Sequence, residues 1–79
     1  METREDYELF RCKFLREGKE FIKAKDYNGN TFYIKRSKNT KGYKKGFDDT
    51  FYAKLERKGF IFKKRILHVI DFNDYLALK

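Results

Sequence analysis

The residues most able to do chemistry lie together in Lys35-Arg36-Ser37-Lys38-Asn39-Thr40-Lys41-Gly42-Tyr43-Lys44-Lys45, which carries six cations, one aromatic ring and no carboxylate. It follows directly on the aromatic run Phe32-Tyr33-Ile34. A polycation beside flat aromatic surface suits a phosphate backbone with unpaired bases: the ammonium and guanidinium groups neutralise phosphates, and the rings stack on bases. On this reading Lys35, Arg36, Lys38, Lys41, Lys44 and Lys45 contact phosphates, while Tyr33 and Tyr43 stack. Lys23 and Lys25 share a strand face with Phe21 and Tyr27 and come beside Tyr33 and Lys35 through a hairpin. Lys63, Lys64 and Arg65 extend the path from a second basic segment. This chemistry identifies a class of partner and carries no sequence-specific reading of bases.

Catalytic constellations are missing. His68 is the single histidine and lies in an apolar strand pattern, where a packed, hydrogen-bonded role is expected. The pair Asp48-Asp49 is explained by helix capping, and Asp71 and Asp74 with His68 have no spacing specific to a nuclease. Lys41-Gly42-Tyr43-Lys44-Lys45-Gly46 lacks the Gly-Lys-Ser/Thr ending of a nucleotide-binding loop. No Cys/His metal spacing and no nucleophile elbow occur. The chain is therefore expected not to be an enzyme and to use no cofactor or metal.

Size and charge agree with a binding role. Seventy-nine residues make one domain with a marginal core, offset by nine Phe and six Tyr. The net charge of +8 is unevenly placed. Residues 1–10 sum to −3, residues 11–65 to +12 and residues 66–79 to −1. A basic middle between acidic ends draws polyanions, with an anionic membrane or an acidic protein as the less specific alternatives. The one cysteine, Cys12, sits between Phe10 and Phe14 as a small core filler. The acidic N-terminus has no apolar run of a secretory signal, no segment is long enough to span a membrane, and no Asn-x-Ser/Thr sequon occurs, so a cytoplasmic protein is expected. Heavy use of Lys, Phe, Tyr, Ile and Asn fits an AT-rich source such as a low-GC bacterium, its phages or a mobile element.

These residues have to be positioned by local elements. Tyr7 to Leu15 alternates Phe10, Cys12 and Phe14 against Leu9, Arg11 and Lys13, which is a strand pattern. A helix capped by Thr3 and Asp6 competes for the same segment. Arg16-Glu17-Gly18-Lys19 reads as a hairpin turn into a strand over Glu20–Asp26. Tyr27-Asn28-Gly29-Asn30 turns the chain back, since Asn-Gly tolerates positive φ at both central positions. Thr31 to Arg36 is the third strand. The stretch 37–47 lacks apolar periodicity and predicts an exposed, mobile basic loop. Thr50 to Lys58 places Phe51, Tyr52 and Leu55 on one helical face, with Asp48 or Asp49 as cap and Gly59 as terminator. Phe60-Ile61-Phe62 opens a strand that Lys63-Lys64-Arg65 interrupts. Ile66 to Phe72 resumes it, apolar on both faces like a central strand, and Asp74 to Leu78 forms a terminal helical turn.

Three strands, a short helix and two strands make a β-rich α+β domain with the element order of a small OB-type barrel of five strands, its helix between strands 3 and 4. If the N-terminal segment is helical, the alternative is an open antiparallel sheet with an N-terminal helix. The function expected is a small basic nucleic-acid-binding module that prefers single-stranded DNA or RNA without strong sequence specificity. The alternative is an accessory protein-interaction module that docks on a larger DNA- or RNA-processing enzyme of replication or repair.

Overall fold

Ten residues of alternating pattern, Glu8–Glu17, form strand β1, and a 3-10 turn at Arg4–Asp6 precedes it. In this computed structural model residues 2–59 and 64–79 are described. The competing helical signal at the N-terminus is thus spent on a single turn, where Asp6 accepts a hydrogen bond from the Thr3 amide at 2.8 Å. β2 (Phe21–Asp26) and β3 (Thr31–Lys35) follow, then a 3-10 turn at Lys38–Thr40, β4 (Asp48–Lys58), β5 (Lys64–Ile70) and helix α1 (Phe72–Leu76). The strands close into a barrel in the order β1-β2-β3-β5-β4. All pairs are antiparallel except β3 with β5. The result is a small closed five-stranded barrel, compatible with an OB-like fold, with a short α-helix at the C-terminus.

The largest departure from the sequence reading is β4. Thr50 to Lys58, expected as a helix between strands 3 and 4, is extended and pairs with β1 on one side and β5 on the other. Its sequence fits both periods: Phe51, Ala53 and Leu55 also alternate with Tyr52, Lys54 and Glu56. The ambiguity is resolved by the backbone, because β1 and β5 each present an edge whose N–H and C=O groups need partners, and only an extended β4 satisfies both. Asp48 and Asp49 are therefore strand residues and not helix caps. The expected strand over Phe60–Phe62 lies outside the described residues, while Lys64 and Arg65 do not interrupt a strand but open β5.

Turns behave closer to expectation. At Gly18 a Cβ would fall 2.8 Å from the Phe21 carbonyl oxygen, so the tight β1–β2 connection requires glycine. The β2–β3 turn is not a two-residue Asn-Gly type: Gly29 alone is at φ +92°, and among the described residues no non-glycine has positive φ. Asp26 instead organises the loop, its carboxylate accepting from the Asn28 amide at 3.0 Å, the Asn30 amide at 2.8 Å and the Asn30 side chain at 3.0 Å.

The core is Phe14, Ile22, Ala24, Phe32, Ile34, Phe51, Ala53, Leu67 and Cys12, joined by Tyr43. Tyr43 and Thr40 come from the loop and close one end of the barrel, where the Tyr43 ring stacks on Phe14 with centroids 4.5 Å apart. Around the other end Phe10 meets Phe32 edge-on at 5.3 Å, and the Arg65 guanidinium lies 5.1 Å from the Phe32 ring centroid. Burial pushes the Cys12 thiol from its ordinary value near 9 up to about 11. The folded state holds this proton more tightly than the unfolded chain, so the stabilisation is intact below pH 9 and is lost as pH rises through about 11. Two results are expected: Cys12 resists thiol reagents at pH 8 until denaturant is added, and the urea midpoint falls between pH 9 and 11. Rapid labelling of the folded protein, with no alkaline loss of stability, would contradict the buried placement.

Candidate nucleic-acid interface

In a barrel, residues two apart along a strand share a side, and register decides which of them meet across strands. The outward positions of β2 are Phe21, Lys23 and Lys25, and those of β3 are Thr31, Tyr33 and Lys35. Register sets Lys25 between Lys13 of β1 and Thr31 of β3, and Lys23 between Arg16 of β1 and Tyr33 of β3. Phe21 faces Lys35. On β5 the outward neighbour of Tyr33 is the buried Ile66, and Lys64 reaches back over the Tyr33 ring at 5.4 Å from its centroid. Lys35 covers Phe21 in the same way at 5.0 Å, and Phe21 meets Tyr33 edge-on at 6.5 Å. The sequence reading placed Lys23, Lys25, Tyr33 and Lys35 on one surface, and the structure brings them together with Lys64.

Two of these cross-strand pairs are like-charged: Lys13 against Lys25 and Arg16 against Lys23. Directly opposed like charges destabilise a sheet. The ion pairs among the described residues are Arg36–Glu17, Lys54–Glu2, Lys58–Glu56 and His68–Glu56, and none engages Lys23, Lys25, Lys35, Lys38, Lys41, Lys44, Lys45 or Lys64. Asp48 stands across from Lys13 on β4 and Glu20 lines the same depression as Arg16 and Lys23, so these carboxylates offset part of the repulsion, but none forms an ion pair with the two rows.

Other expected site residues are placed elsewhere. Tyr43 does not stand on a mobile loop ready to stack on a base: it is 8 % exposed and packs on Phe14 and Phe51. Burial raises its phenol pKa, with the Asp49 charge adding to the effect. A closed barrel leaves an open end that needs an apolar plug, and this loop supplies it. Thr40 is 1 % exposed and its hydroxyl makes two hydrogen bonds with the Ser37 backbone, so the loop is tied down at its centre. Asn39 donates to the Val69 carbonyl at 3.1 Å, the Gly46 amide donates to the Phe14 carbonyl at 2.8 Å, and the Lys45 amide donates to the Glu17 carboxylate at 3.2 Å.

Arg36 is also withdrawn, since its Nε donates to the Gly18 carbonyl at 2.6 Å and its Nη2 reaches Glu17 at 3.4 Å, clasping the β1–β2 turn. Arg65 is turned to the barrel end, onto Phe32 and the Asn30 side-chain oxygen at 3.4 Å. Lys63 lies outside the described residues. Lys38, Lys41, Lys44 and Lys45 are exposed on the loop, which runs across the barrel end from β3 to β1 and so continues the cationic face.

The sequence reading missed Lys13, Arg16 and Phe47. Phe47 and Tyr27 are each 62 % exposed, and both line a depression of about 460 Å³ with Lys13 and Asp48. Tyr27 donates its hydroxyl to Asp48, and Arg11 lies over its ring at 5.0 Å. Period-2 alternation already put Arg11 and Lys13 on the outer side of β1. The signal that joins them to the site is the β1–β2 register, which alternation alone does not give.

His68 is hydrogen-bonded, as expected, but to Glu56 at 2.8 Å on the exposed side of β5 and not inside an apolar core. Among the described residues no group of three His, Cys, Asp or Glu side chains is placed to hold a metal ion, and no helix is long and apolar enough to cross a membrane.

No protein-family model matches the chain, and neither a curated protein nor a solved structure matches it significantly.

Proposed function

We propose that the protein binds single-stranded DNA or RNA, without strong sequence preference, across the outer face of β1, β2 and β3 and along the loop lysines. The observation that carries this reading is the pair of like-charged cross-strand contacts, Lys13–Lys25 and Arg16–Lys23, set among aromatic rings with no carboxylate on the outward positions of β2 and β3. A polyanion laid over these rows converts repulsion into attraction. Unpaired bases then take the ring faces of Tyr33 and Phe21 that Lys64 and Lys35 now cover, and the displaced ammonium groups move to phosphates. Exposed Tyr27 and Phe47, after β2 and before β4, offer further stacking surface beside β1. In an OB-type barrel the outer side of strands 2 and 3 is an oligonucleotide face, an analogy of fold that points to the same surface.

Fluorescence anisotropy with labelled single-stranded and duplex oligonucleotides over a range of salt tests the reading. Single strands are expected to bind more tightly, with log affinity falling linearly against log salt by about 0.7 per phosphate contacted. Tyr33→Ala is expected to weaken single-strand binding by about 1–3 kcal/mol and duplex binding far less. Absence of binding to either form at low salt would refute the proposal.

A second reading, an accessory module that docks on a larger replication or repair enzyme, is favoured by one observation. Phe72 and Leu76 of α1 are 57 % and 46 % exposed, and Leu9 of β1 is 59 % exposed.

A further inference from the structure

Among the described residues Tyr27 and Phe47 are the most exposed aromatic side chains, each at 62 %. Neither sits on a loose segment. The Phe47 backbone is locked onto β1: the Phe14 amide donates to the Phe47 carbonyl and the Gly46 amide to the Phe14 carbonyl, each at 2.8 Å. The Phe47 amide donates in turn to the Lys44 carbonyl at 3.1 Å. Tyr27 is held through its side chain, with its hydroxyl donating to Asp48 and the Arg11 guanidinium 5.0 Å from its ring centroid. A ring left in water contributes little to folding, so burial does not account for two rings fixed in this way.

Both rings line the depression of about 460 Å³ that Lys13 also lines, a volume within the range of roughly 300–1,000 Å³ usual for ligand sites. Tyr27 borders a second depression, of about 280 Å³, which Arg11 lines and Phe47 does not. The Tyr27 ring thus divides the two, with Arg11 on one side and Phe47 and Lys13 on the other. Register sets Lys13 between Lys25 of β2 and Asp48 of β4. Of the nearby carboxylates, Asp48 holds the Tyr27 hydroxyl and Asp26 is taken up by three donors of its own loop.

We infer that this depression is a cleft for one unpaired base of a bound single strand, a purine by preference, held between the Tyr27 and Phe47 rings with the adjoining phosphate on Lys13 and Lys25. The inference rests on the single-strand reading and deepens it, because the cleft fixes one nucleotide from which the strand continues along β2 over Lys23 and Tyr33. Charge decides the occupant. Two rings beside a carboxylate also suit an alkylammonium group. Here Arg11, Lys13 and Lys25 outnumber Asp48 and Asp26, which draws a phosphate and repels a cation. A purine covers more ring surface than a pyrimidine and stacks more strongly. Rings already held in place lose little freedom when the base enters.

The test titrates the full chain with short single strands of oligodeoxyadenylate and oligodeoxythymidylate, followed by nuclear magnetic resonance. Adenine H2 and H8 are expected to move upfield and to show nuclear Overhauser contacts to the rings of both Tyr27 and Phe47. These contacts are read on the unmodified chain, so they do not depend on whether a variant folds. Oligodeoxyadenylate is expected to bind several-fold more tightly than oligodeoxythymidylate. Phe47→Ala, at an exposed position, is expected to weaken oligodeoxyadenylate binding by about tenfold and to shrink that preference. Tyr27→Phe, which keeps the ring and loses only the hydroxyl, is expected to bind as the parent does. Strand binding that Phe47→Ala leaves unchanged, with contacts confined to Tyr33 and Phe21, would overturn the cleft and leave the single-strand reading standing. Absence of binding by either strand would remove both. Tetramethylammonium that shifts the amides of Tyr27 and Phe47 would also overturn the inference, since the cleft would then be a cation site.

Discussion

Replacing Lys23 and Lys25 together with Glu is expected to stabilise the fold and to weaken single-strand binding. Each substitution turns a like-charged cross-strand pair into an opposite-charged one, against Arg16 and Lys13 respectively. Cross-strand pairs contribute roughly 0.2–1 kcal/mol each, with the sign set by charge, so the double change is worth about 1 kcal/mol. In a domain of this size that raises the melting temperature by about 4–8 °C, and by less as salt screens the pairs. Binding moves the other way. Two phosphate contacts are lost, the salt slope falls by about 1.4, and the new carboxylates repel the backbone. Thermal melts and anisotropy on the same samples supply both signs. If the variant melts lower, the face held no stored repulsion. If it melts higher and binds as before, the nucleic-acid site lies elsewhere.

Tyr43→Ala is expected to remove most of the stability. The side chain is 8 % exposed, its ring stacks on Phe14 at 4.5 Å, and it lies 5.6 Å from Phe51. Truncating a buried aromatic costs about 3–5 kcal/mol, against a total of roughly 4–12 kcal/mol for a chain of this length. The expected outcome is a melting temperature lowered by tens of degrees at about 4–8 °C per kcal/mol, or a chain unfolded at room temperature. Tyr43→Phe keeps the plug and is expected to keep both the fold and the affinity for single strands. An exposed base-stacking role predicts the reverse pattern for Tyr43→Ala, with stability unchanged and affinity lost. Circular dichroism on the two variants distinguishes the roles before any binding is measured.

The two expectations mark where sequence reasoning reaches and where it stops. Side-chain alternation in an extended chain is a local, fixed geometry, so the strand faces of Phe10, Cys12 and Phe14 in β1, of Ile22 and Ala24 in β2 and of Phe32 and Ile34 in β3 were legible in the residues themselves. The same period assigned Lys23, Lys25, Tyr33 and Lys35 to one outer surface, so half of the candidate interface followed from spacing. The basic excess of residues 11–65 and the acidic ends needed only counting.

Tertiary structure decided what depends on partners distant in sequence. Thr50 to Lys58 carries a pattern compatible with helix or strand, and it became β4 because two strand edges lacked hydrogen-bond partners. Tyr43 stands in a stretch with no periodicity, and its burial follows from an open barrel end that no local rule reveals. Arg36 and Arg65 carry the same charge as the neighbouring lysines, yet one carbonyl and one carboxylate brought near by folding hold the first, and an aromatic ring and an asparagine hold the second. The opposition of Lys13 to Lys25 and of Arg16 to Lys23 needs the β1–β2 register. Sequence by itself determined which side chains share a strand face and where the charge lies. Only closure of the barrel decided which of those charges confront one another, because that depends on register between strands and not on order along any one of them.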